Sequence, residues 1–217
     1  MRAVAAFLFA CTLTAPAGAA GATPTGPIWD AFSKAVDRAN DYTETIVAHE
    51  VKGDAVQDRV YHFFFKKPTL ARTDIVDGPG RGGAAVWRGG DTIRGHQGGI
   101  LSGIRLTLSI ADGRAVDLRG KTIVAAIFAV LRDHMESAGT VTEGAGKTID
   151  GNATDALTLV LADAAKTRDL TKEIVYISKA THLPVRHEGY EGDKLVEAED
   201  FKDQVVNAGL PDSTFDM

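Results

Sequence analysis

The sequence predicts an α+β protein dominated by antiparallel strands, with a helix laid on the concave face of one curved sheet. Three observations carry this prediction. About eleven short segments place β-branched and aromatic residues at period two. Gly, Pro, Asp and Asn separate them, as tight turns between neighbouring strands require. Two other segments carry apolar residues at helical spacing.

The chain opens on Arg2, then an uncharged apolar run over residues 3–13, Pro16, and the small residues Ala17, Gly18, Ala19, Ala20, Gly21 and Ala22. That order predicts a secretory signal over residues 1–22, cleaved after Ala19 or Ala22, and so an exported, periplasmic protein. The run falls short of the ~20 residues that span a bilayer. Lipidation at Cys11 is the alternative, but Phe9 and the very short start fit such a site poorly. Cys11 is the sole cysteine, so the expected domain, residues 23–217, has neither a disulfide nor thiol chemistry. Its length suits one core. Removing Arg2 leaves 23 basic side chains against 29 acidic, a net charge of −6. The signs are interspersed and no basic run occurs, which argues against nucleic acid.

Pro27 suits a first helical turn, and Ile28, Trp29, Phe32, Ala35, Val36 and Ala39 form one apolar stripe. Strands follow over residues 42–51, 58–66 and 70–76, the first turned at Gly53-Asp54 and the second ended by Pro68. After the glycine-rich 78–83 loop, residues 84–88 and 92–94 read as a hairpin, and 104–110 as a further strand. Residues 121–137 predict the second helix, apolar on more than one face and closed by Gly139. Strands resume over 141–149 and 156–162, turning at Asp150-Gly151-Asn152, then over 170–178, 185–191 and 195–205, the last two joined at Gly192-Asp193.

Several motifs fail on context. Residues 78–83 match G-x-G-x-x-G, but a strand follows where a dinucleotide site needs a helix N-terminus. Gly146-Lys147-Thr148 lacks the first glycine of a phosphate loop and runs into a turn. His49, His62, His96, His134, His182 and His187 show no metal-ligand spacing, so no metal and no cofactor is expected. Ser102 lacks the glycine two places before it that a nucleophile elbow needs, and His96 and Asp91 are near it only in sequence. Asn152-Ala153-Thr154, a glycosylation sequon in form, reads as a turn. No catalytic residue is assigned, and the protein is expected not to be an enzyme.

Two stretches carry a resemblance. The first is Tyr61-His62-Phe63-Phe64-Phe65-Lys66-Lys67-Pro68-Thr69-Leu70-Ala71-Arg72. The second runs from Thr181-His182-Leu183-Pro184-Val185 through Tyr190-Glu191-Gly192-Asp193-Lys194 and Phe201-Lys202-Asp203 to Asn207 and Phe215. In order and content they resemble the LolA/LolB-like periplasmic lipoprotein-carrier superfamily. The resemblance implies a strongly bent, open half-barrel of about eleven strands, with helices on its concave face and an apolar cavity for acyl chains of a lipid or lipoprotein. Phe63, Phe65, Leu70, Val124, Ile127, Phe128 and Leu131 would bind the ligand, with Trp87 at the rim. Arg72 would latch the 121–137 helix to the sheet as a lid. The family usually has an aromatic residue after that arginine, where Thr73 and Asp74 stand here. The expected protein is a monomeric carrier that hands its cargo to an envelope lipoprotein or membrane transporter. A non-catalytic envelope adaptor with a self-filled core and an exported hydrolase are the alternatives.

Overall fold

The computed structural model describes residues 23–217. The predicted signal segment, with Cys11, lies outside the described residues. One antiparallel sheet organises them: β1 (Asp41–Lys52), β2 (Ala55–Lys66), β3 (Leu70–Asp77), β4 (Ala84–Trp87), β5 (Thr92–His96), β6 (Leu106–Ser109), β7 (Gly139–Ala145), β8 (Thr154–Leu161), β9 (Lys172–Ser178), β10 (Pro184–Glu191) and β11 (Lys194–Val206). Its spatial order is β6-β5-β4-β3-β2-β1-β11-β10-β9-β8-β7. The chain therefore meanders from β1 out to one edge, crosses to the far edge, and meanders back until β11 pairs with β1. The edges never meet, so the sheet is an open half-barrel.

Alternation decides which residues face the hollow. In β2, Phe63 and Phe65 point inward and are buried, so Phe64 points outward. Register carries this across the sheet: Phe65 pairs with Tyr42 and Ala71, and Ile46 with Tyr61 and Phe201. Helix α1 (Pro27–Arg38) starts with its proline in the first turn and buries Trp29, Phe32 and Val36 in this inner core. Helix α2 (Phe128–Ser137) adds Phe128, Leu131 and Met135.

The second helix is shorter than its apolar period predicts. Residues 123–126 form a 3-10 turn, Ile127 is extended, and the α-helix begins only at Phe128. Three of the residues ahead of it, Thr122, Ile123 and Val124, are β-branched and lose side-chain freedom in a helix. The buried Tyr42 hydroxyl holds the break: it donates to the Ala126 carbonyl (3.3 Å) and accepts the Phe128 N–H (3.0 Å), while its ring stacks on Phe128 at 4.4 Å. Gly139, expected as the helix stop, is the first residue of β7, where the Val160 carbonyl leaves no room for a Cβ. Strand β7 ends at Ala145 rather than 149, although Asp150 and Gly151 adopt the positive φ angles of the expected tight turn. We predict that Tyr42→Phe, which keeps the ring and strands both backbone groups, costs about 1–3 kcal/mol. A urea midpoint unchanged from wild type would show that the hydroxyl carries no such load.

Candidate functional site

Helices α1 and α2 fill only part of the hollow. Between the inner face of β2–β6 and the segment that crosses it lies a cavity of about 660 Å³. Alternation supplies its wall: Arg59, Tyr61 and Phe63 from β2, Thr73 and Ile75 from β3, Ala85 from β4, Ile93 from β5, and Leu106 and Leu108 from β6. Residues 113–117, 121–123, 125 and 126 form the opposite side. At the rim the glycine-rich 78–83 loop meets the 95–98 loop. The Arg81 carbonyl approaches Gly98 so closely that no side chain fits there.

The crossing segment is hooked into the sheet. Val116 bridges Thr122, and the Asp117 carboxylate accepts the N–H groups of Arg119 and Lys121. This tight loop drives both cations into the interior. Arg119, with a side chain only 2% exposed, donates to Glu197 (3.1 Å), Glu191 (2.7 Å) and the carbonyls of Val51 and Arg168 (both 2.6 Å). Lys121 lies 2.7 Å from Glu199 and 3.4 Å from Glu197. Glu50 accepts the Leu118 N–H at 3.2 Å. From Glu199 the network continues through His187 to Glu173 and His134.

Burial opposes every charge in this network, and mostly the opposite charges outweigh it. Lys121, flanked by Glu199 and Glu197, is held above the usual lysine range. Glu199 and Glu173 are held below the usual carboxylate range by Lys121 and by the histidines, respectively. Burial would lower His187, but hydrogen bonds to Glu173 and Glu199 carry it up to about 9. For two carboxyls burial wins. Glu50, with the charge of Asp117 added, is pushed up to about 8, and so is Glu44, where the hydrogen bond from Gln204 offsets only part of the burial. These two are neutral at pH 7.

The network ties the crossing segment to the sheet and contains no Ser, Thr or Cys side chain. Ser102 is exposed in the β5–β6 loop, and the His96 ring bonds the Gln97 carbonyl. Among the described residues no group of three His, Cys, Asp or Glu is placed to hold a metal ion.

Of the residues expected to bind ligand, Phe63 alone lines the cavity. Phe65, Ile127, Phe128 and Leu131 are buried in the helix-filled core, and Val124 packs against it. Trp87 is half-buried against the same core, with its indole N–H on the Gly90 carbonyl. Leu70 and Arg72 lie on the other face of the sheet. Ala71 faces the hollow, so its neighbours face away. Arg72 binds Asp74 (2.9 Å) and the Thr214 carbonyl (2.9 Å), tying down the C-terminal turn rather than a lid over the hollow. Sequence reading missed Arg59, Tyr61, Ile75, Ile93, Leu106 and Leu108. Carrying the alternation of β2 across each hairpin would have found most of them. Residues 113–120 gave no such signal, because they have no regular period, and 121–126 carried a helical period that the structure does not follow.

No family model and no curated protein matches the chain. Solved structures do. An uncharacterized conserved protein from Thermus thermophilus is similar at a TM-score of 0.55 and 10% identity, over 87% of this chain and 90% of that one. A chain of the MucA/MucB complex of Pseudomonas aeruginosa is similar at 0.52 and 14% identity, over 88% of this chain and 60% of that one. A LolA superfamily protein from Nitrosomonas europaea matches over 89% of this chain and 99% of that one, at a TM-score of 0.42 and 15% identity. The chain shares the fold of the first two. That fold is one unclosed layer of eleven antiparallel strands with two helices in the hollow. Within that frame the vacant half lies under β2–β6 and the filled half under α1 and α2. No helix among the described residues is long and apolar enough to cross a membrane.

Proposed function

We propose that this protein is a non-catalytic carrier in the bacterial envelope that shields an acyl chain of a lipid or lipoprotein from water. The carrying observation is the 660 Å³ cavity, whose apolar wall the chain's own side chains leave uncovered. Burying each methylene there contributes about 0.8 kcal/mol, so an acyl chain gains useful binding energy without a dedicated charged site. The hooked crossing segment, rather than α2, is then the movable cover, since α2 is packed into the core by Phe128, Leu131 and Met135. An exported, periplasmic location follows from the 1–22 segment, and a lipoprotein or membrane transporter is the proposed partner for handover.

Ala85 sits in the middle of the wall. Ala85→Phe should project a ring into the cavity, weaken uptake of a fluorescent acyl probe, and leave the melting temperature within a few degrees of wild type. Native mass spectrometry of protein purified without detergent should show a retained lipid in wild type only. A wild-type protein that neither carries lipid nor takes up the probe would end the proposal.

A further inference from the structure

We propose that the cavity selects a single-chain amphiphile with a free anionic head, and that Arg59 receives that head. This deepens the carrier reading and rests on it. The first argument is size. A methylene occupies about the ~30 Å³ of a water molecule, so a sixteen-carbon chain needs on the order of 500 Å³. The cavity's 660 Å³ takes one such chain and not three.

The second argument is the polarity of the wall. Along the inner face of β2 the residues run Gln57, Arg59, Tyr61, Phe63, Phe65, from polar to apolar in one line. That gradient matches an amphiphile lying along the strand with its head at the Arg59 end.

The third argument is the state of Arg59 itself. Among the described residues the other basic groups of the lining are accounted for. Lys121 pairs with Glu199, Arg114 pairs with Asp112, His96 bonds the Gln97 carbonyl, and Arg81, unpaired among the described residues, is exposed at the rim and keeps its hydration. Arg59 has no carboxylate within 4.0 Å among the described residues, and its one described side-chain contact is the Tyr61 hydroxyl, at 3.5 Å. Its Nε is shielded from solvent and unpartnered, as is the amide oxygen of Gln57. A shielded N–H without an acceptor is costly, and a planar guanidinium matches a carboxylate or phosphate in shape and charge. The acidic groups in the lining do not compete for this role. Glu199 is engaged by Lys121 and His187, and Asp117 by two backbone N–H groups.

The test uses an uncharged fluorescent alkyl probe to report cavity occupancy, with hexadecanoic acid, hexadecyl phosphate and hexadecanol as competitors at pH 8. Wild type should prefer the acid or the phosphate over the alcohol by about tenfold or more, the scale of one charge-assisted hydrogen bond. Whichever anion competes better identifies a fatty acid or a phosphate-headed lipid as the source. Arg59→Met should erase the preference, read as the ratio of anion to alcohol affinity within the same variant, and Arg59→Lys should keep part of it. If the probe binds but wild type does not discriminate, or Arg59→Met still does, this inference fails and the carrier reading survives. If the probe never binds, both fail.

Discussion

Replacing Arg119 with methionine is expected to destabilise the protein by about 3–5 kcal/mol, the usual cost of removing one partner from a buried charge cluster. Four acceptors lose their donor at once: the carboxylates of Glu197 and Glu191 and the carbonyls of Val51 and Arg168. Glu197 suffers most. Its side chain is fully buried, and the cations left near it among the described residues are Lys121 at 3.4 Å and Arg168 at 3.5 Å. For a domain of this size the melting temperature should fall by on the order of 10 °C. The double variant Arg119→Met with Glu197→Leu should recover a substantial part, because an apolar pair leaves no charge stranded. The same change frees the crossing segment from the sheet, so the single variant should also release bound acyl probe faster. A melting temperature within about 2 °C of wild type would show that the hook is not what holds the segment down.

Raising the pH from 6.5 to 9 is expected to destabilise the fold progressively. Glu44 and Glu50 have folded values of about 8 against 4.5 for the free side chain, and His187 about 9 against 6.5. Each group binds its proton more tightly when folded. Its contribution is therefore complete below the unfolded value and is lost as pH climbs to the folded one. The carboxyl losses span pH 4.5 to 8 and the histidine loss spans 6.5 to 9, so all three overlap between 6.5 and 8. Each proton contributes a slope of at most about 1.4 kcal/mol per pH unit. On the acid side the sign reverses. Burial would raise Glu188, but Lys147, Tyr190 and Arg186 bring it down to about 2, and Glu173 and Glu199 are also lowered. Their stabilisation is present above about 4.5 and is lost as the pH drops below it. Stability should thus peak near pH 4.5, where the acid-side gains are complete and the carboxyl losses begin, and decline on both sides. Thermal melts across pH 3 to 10 check this, and Glu44→Gln with Glu50→Gln should flatten the alkaline limb. A flat wild-type profile from pH 6 to 9 would contradict the assignment of three bound protons.

The two proton-retaining glutamates show where sequence reading stops. Glu44 and Glu50 lie on β1 at the inward positions, in phase with Tyr42, Ile46 and Ala48. Local pattern marks them as residues facing a core, and composition marks them as surface acids. Only tertiary contacts explain why carboxyls sit there: the Leu118 N–H of the crossing segment reaches Glu50, and the Gln204 amide of β11 reaches Glu44. The second helix failed for a related reason. Its apolar period continues back to residue 121, but β-branched residues and the Tyr42 hydroxyl, which is 86 positions away from Phe128, break it.

Read alone, the sequence specified the strand segments, most of their turns, the first helix and the sheet's antiparallel character. Each of these follows from interactions between residues close in the chain: alternation, turn chemistry and helical spacing. The position of the cavity, the outward direction of Arg72 and Leu70, the burial of Arg119 and Lys121 and the unpartnered state of Arg59 were settled only by tertiary structure. They depend on which half of the hollow the two helices fill and where the crossing segment is hooked, and such long-range packing leaves no period in the chain to read.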